Sequence, residues 1–130
     1  MKQIEICGKK YEIECNALVY LKYREKFNTD IFNDIKILQS FLTKQVLLTN
    51  KLKEENPNID DATIITSLSS IMIEDMGLFI EAATRIAYIM IYIANKHIEE
   101  YEEWLENIPT IRTNDKWIAE VTEIAVDCFC

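Results

Sequence analysis

The sequence predicts an α+β fold, mostly α: an N-terminal β-hairpin followed by a small helical bundle, within a single domain spanning 1–130. Three observations carry this expectation. Residues 3–15 alternate apolar and polar side chains around a glycine, which is the period of a strand. From Asn16 onward, apolar residues recur at the three- and four-residue spacing of helices. The chain also has only 2 Gly and 2 Pro in 130 residues and is 49 % hydrophobic, so its periodic stretches run uninterrupted and it is too apolar for a disordered acidic tail.

In the hairpin, a two-residue loop at Gly8-Lys9 pairs Ile6 with Tyr11 and Ile4 with Ile13. All four apolar side chains then share one face, while Glu5, Glu12 and Glu14 turn to water. Glycine at the first central position of the loop supplies the positive φ of a type II′ turn. A lone two-stranded ribbon is marginal in water, so its apolar face must rest on helices. In this register Cys7 lies across from Lys10 and Cys15 lies near Lys2, which keeps the two sulfurs apart. Cys128 and Cys130 are separated by one residue, closer than a zinc-binding pair, and His97 is the single histidine. The four cysteines therefore read as small thiols, with no metal and no cofactor expected.

The helical region, 16–130, follows in order. Asn16 is placed to cap a helix from Ala17 to about Phe27, with Val19, Tyr20, Tyr23 and Phe27 on one face and Lys22, Glu25 and Lys26 away from it. Asn28 stops it. Asp30 caps the next pattern, which is one helix or two and ends before Pro57. Residues 56–60 read as a linker, and Asp60 or Asp61 caps another long run that Gly77 is placed to divide. Between residues 36 and 78 the pattern does not set the helix boundaries. From about Leu78 to Lys96 the apolar residues cover nearly the whole circumference, including Ile86 and the run from Tyr88 to Ile93. Such a helix is either central to the fold or partly covered by another subunit; the central position is favoured, because a small domain wraps one helix. The stretch Ile86–Ala94 is too short to span a bilayer, and Arg85 and Lys96 bracket it.

In the segment from His97 to Pro109, Ile98, Tyr101, Trp104 and Leu105 form an apolar stripe. Glu99, Glu100, Glu102, Glu103 and Glu106 read as a solvated face rather than as catalytic acids. Asn114 is placed to cap the last helix, which carries Trp117, Val121, Ile124 and Cys128 on one side and Lys116, Glu120, Glu123 and Asp127 on the other. That stripe is the candidate protein-interaction surface; its alternative is burial inside the same subunit. Tyr23, Phe27, Ile89, Tyr92 and Trp104 are expected in the buried framework.

Charge and motifs exclude several function classes. A net charge of -8 and a pI near 4.7 argue against tracking a nucleic-acid backbone. The opening residues lack an apolar signal core, so a cytoplasmic location with reduced thiols is expected. There is no glycine-rich phosphate loop, nucleophile elbow or histidine metal motif, and one histidine does not support most acid–base schemes. No catalytic residues are assigned, and a non-enzymatic role is expected.

The order of features carries more than any one of them: Gly8, Lys9 and Tyr11 in the hairpin, Tyr23, Arg24, Phe27 and Asp30 in the first helix and its exit, Ala87 in the apolar helix, and Trp104-Leu105 after the glutamates. In this order the chain resembles the tail assembly chaperones of long-tailed phages and prophages. It departs from them at Asn28, where such proteins often carry glycine, and in the longer stretch from Phe41 to Ile64. The resemblance implies a protein that binds the tape measure protein and keeps it soluble until tail tube subunits polymerise around it, often made also in a longer, frameshifted form. The implied partners are the tape measure protein, the tail tube protein and further copies of the chain, in the bacterial host cytoplasm, with neither nucleic acid nor membrane. The alternative is a small acidic interaction or regulatory protein of prophage or host, whose binding would collapse with salt.

Overall fold

A computed structural model describes residues 2–130. Alternation in the first residues produces an antiparallel ribbon of β1 (Lys2–Ile6) and β2 (Lys9–Ile13). The pairs are Lys2 with Ile13, Ile4 with Tyr11, and Ile6 with Lys9, so the turn is Cys7-Gly8 and not Gly8-Lys9. Both turn residues have positive φ, 52° at Cys7 and 82° at Gly8, which is the type I′ requirement with glycine second. This register differs from the expected one by two residues, a whole pleat repeat, and so the inward face is unchanged. Ile4, Ile6, Tyr11 and Ile13 are all buried. The Cys7 thiol donates to the Thr110 carbonyl at 3.1 Å, which ties the turn to the far end of the chain.

Helix α1 (Ala17–Phe27) starts where the Asn16 side chain accepts from the Leu18 N–H at 2.9 Å. It stops at Asn28, whose φ of 52° is left-handed. Asparagine tolerates this conformation and glycine favours it. Asp30 caps α2 (Ile31–Glu55), a single helix of 25 residues. Pro57 disfavours helical geometry at Asn56, and there the helix ends. Asp60 accepts from the Thr63 N–H at 2.8 Å and caps α3 (Asp61–Ala94). This 34-residue helix passes through Gly77 without a break, because the packing of its flanking turns outweighs a glycine cost of about 1 kcal/mol.

Helices α2 and α3 lie antiparallel as an arm whose tip is the 56–60 linker. The inner half of α3 is the centre of the molecule. Every residue from Ile86 to Ile91 is buried, packed by β2, α1, α2 and the last helix, α5 (Lys116–Phe129), so the apolar circumference is covered within one chain. The N–H of Glu14 donates to the Met90 carbonyl at 3.1 Å and fixes the ribbon on α3. By length and composition α3 could cross a bilayer, but 61 % of its most apolar stretch is buried against the rest of the chain. The glutamate segment forms only a short helix, α4 (Tyr101–Glu106). Asp115, not Asn114, precedes α5, and its carboxylate accepts from the Arg112 N–H at 2.9 Å, which closes the turn before the helix instead of capping it.

Candidate functional site

Near the body, the arm is held by buried side chains from both helices. Ile31, Ile35, Leu38 and Phe41 of α2 are buried, and the Phe41 ring stacks on Phe79 of α3 with centroids 4.0 Å apart. Toward the tip, α3 still buries Ile64, Leu68 and Met72 at four-residue spacing, whereas α2 offers only the half-buried Leu42, Leu48 and Leu52. Apolar residues beside these stripes are left uncovered, among them Val46 at 59 % and Ile65 at 53 % exposure.

The segment between α4 and α5 runs beside this part of the arm and leaves a groove. Two adjoining hollows of about 360 and 430 Å³ share Gln45, Ile65, Leu68, Thr113 and Asn114. Met72, Met76 and Ile80 line one end, Leu42, Val46 and Ala119 the other, and Ile111 forms part of the opposite wall. Arg112, Asp115 and Lys116 supply charge at the rim. An apolar floor with adaptable methionines and a polar rim suits the side chains of an amphipathic helix.

The polar centre of the body has a different role. The Tyr23 hydroxyl donates to the buried Asp34 carboxylate, which also faces Arg85 at 3.6 Å, and Arg85 pairs in turn with Glu81. Burial, followed by that hydrogen bond and the charge of Asp34, pushes the Tyr23 phenol up from its ordinary value. The rings of Phe27, Tyr88, Tyr101 and Trp104 pack around the same centre. Burial first, then the nearby glutamates, raises Tyr88 to about 12, while its hydroxyl donates to the Glu99 carbonyl at 2.7 Å. These groups tie α1, α2, α3 and α4 together.

Of the stripe expected to meet a partner, Trp117 and Val121 are buried in the core, Ile124 is half-buried and Cys128 is exposed. Helix α5 spends most of that face on its own chain, so the open apolar surface lies on the arm. The residues expected in the framework divide similarly: Tyr23, Ile89 and Trp104 are buried, while Phe27 and Tyr92 are half-buried. Cys15 and Cys128 border one hollow, and burial together with the neighbouring Cys128 thiol raises the Cys15 pKa. Among the described residues no group of three or more His, Cys, Asp or Glu side chains is placed to hold a metal. No protein-family model, curated protein or solved structure matches this chain.

Proposed function

We propose that the chain is a non-enzymatic tail assembly chaperone of a long-tailed phage or prophage. It binds the tape measure protein and keeps it soluble in the bacterial host cytoplasm until tail tube subunits enclose it. The observation that carries this reading is the groove beside the arm, where Val46 and Ile65 stand open above Leu68, Met72 and Met76. A long helical client presents apolar side chains every three to four residues, and a groove of this kind takes them up while the acidic exterior keeps the complex dispersed.

The test is co-expression with the tape measure protein encoded nearby, followed by fractionation. Val46→Asp with Ile65→Asp places two charges in the groove at positions already open to water, so the fold is spared and the client is expected in the pellet. If the client stays equally soluble without this protein, the holding role is wrong; if the double variant rescues fully, the groove is not where the client binds. Binding that survives high salt favours the groove, whereas collapse with salt favours the acidic-surface alternative.

A further inference from the structure

Two of the four cysteines are brought side by side by elements far apart in sequence. Ile13 ends β2 and Cys15 follows two residues on, while Ile124 and Cys128 lie four residues apart in α5. Two residues of extended chain advance about 6.6 Å and four residues of helix about 6 Å, so the two pairs stand level where the ribbon packs on α5. All four residues line one hollow of about 490 Å³. Across it the Cys15 and Cys128 thiols are near enough to share a hydrogen bond. The backbone beside Cys15 is anchored, since the Glu14 N–H donates to the Met90 carbonyl. Cys7 sits at the other end of the ribbon with its thiol bonded to the Thr110 carbonyl, and Cys130 lies beyond the last residue of α5. Neither is among the residues lining the hollow.

We propose that Cys15 and Cys128 form a reversible disulfide when the protein meets a hydroperoxide, a redox clasp that fixes α5 to the exit of the ribbon. Cys128 is exposed and is the thiol the oxidant reaches; Cys15, half-buried, is the resolving partner. Burial first, and then the Cys128 thiol, hold Cys15 above the ordinary thiol range, which keeps it protonated until its partner has reacted. In the first step the Cys128 thiolate attacks one peroxide oxygen. An S–O bond forms, the O–O bond breaks, and the departing hydroxide takes up the proton that Cys128 had released, leaving a sulfenic acid and water. In the second step the Cys15 sulfur attacks the Cys128 sulfur. The S–S bond forms, the S–O bond breaks, and the departing hydroxide leaves as water with the Cys15 proton. The two thiols have then lost two electrons and hydrogen peroxide has become two waters. Excess thiol reverses the change by exchange. No residue of the groove takes part, so the clasp stands or falls apart from the client.

Joining positions 15 and 128 bridges roughly 110 residues, the long-span case in which a cross-link restricts the unfolded chain most. Purified protein treated with a small excess of hydrogen peroxide should therefore fall from four free thiols to two in a thiol titration. It should also yield linked Cys15 and Cys128 peptides in mass spectrometry and melt about 10 °C higher, with all three changes reversed by dithiothreitol. Cys128→Ser, at an exposed position, should fold and lose all three responses, whereas Cys7→Ser and Cys130→Ser should keep them. Four thiols that persist through the treatment overturn the proposal. So does a disulfide mapped to Cys128 and Cys130 or between two chains, or a melting temperature that oxidation leaves unmoved.

Discussion

Asp34 is 4 % exposed, between the Tyr23 phenol and the Arg85 guanidinium. Removing one member of a buried charged pair costs more than the pair contributes, because the other is left stranded. Asp34→Ala is expected to lower unfolding stability by about 3 kcal/mol in chemical denaturation, and Asp34→Asn, which keeps an acceptor, by less. The sequence held the signal: Ile31, Asp34, Ile35 and Leu38 follow helical spacing, and a carboxylate on an apolar stripe needs a partner. Which partner was not legible, since Tyr23 and Arg85 come from two other helices. Tyr23 also sets a pH response. Its pKa is raised in the folded state from an ordinary value of 10.0, so the folded protein holds the proton more tightly. The resulting stability is fully present below about pH 10 and is lost as pH rises further. Alkaline unfolding followed by fluorescence should begin in that range, and Tyr23→Phe should blunt its pH dependence.

At the scale of elements, strands and helices were legible where a side chain fixes them locally. Asn16, Asp30 and Asp60 each accept the N–H that their position predicts. The inward face of the hairpin was legible from parity alone. The turn was not, because glycine fits either primed type and only pairing distinguishes Cys7-Gly8 from Gly8-Lys9. Cys7 holds a left-handed φ that a β-branched residue resists, so Cys7→Val should cost about 1 kcal/mol or more in thermal unfolding. Gly77 was misread as a break because its local preference yields to α3's packing. A Cβ there meets nothing within 4 Å, and Gly77→Ala should therefore stabilise the protein by about 0.5–1 kcal/mol, read as a higher denaturation midpoint.

On the scale of the whole molecule, the body and the arm divide the work. The body buries the inner half of α3 from all sides, and the arm extends its outer half with one apolar layer and open edges. The sequence foresaw the central helix and left the α5 stripe either open to a partner or buried in its own chain; Trp117 and Val121 go inward. The groove was illegible because one wall is the irregular segment around Ile111–Asn114, which has no periodicity to read. Val46 and Ile65 were the available clue, as apolar residues off the buried stripes of their helices. If body and arm are separable in stability, amide exchange should be slow across Ile86–Ile93 and faster near the 56–60 tip, because local opening follows the density of buried contacts. Uniform protection along α3 would refute that division.

The packing of β1 against α5 brings the two ends of the chain together, with Lys2 and Cys128 bordering the same hollow. As a path through space the fold is therefore almost a closed ring, which enters along the ribbon, travels out and back along the arm, and returns to its starting point. Such a ring has no obligatory first residue. A short Gly/Ser bridge between the present ends, with new ends cut at the exposed Pro57-Asn58, should give a permuted chain that folds to the same structure. The arm would then consist of two free-ended helices instead of a hairpin, so the circular dichroism of the permutant would show whether the tip connection is needed to keep α2 and α3 together.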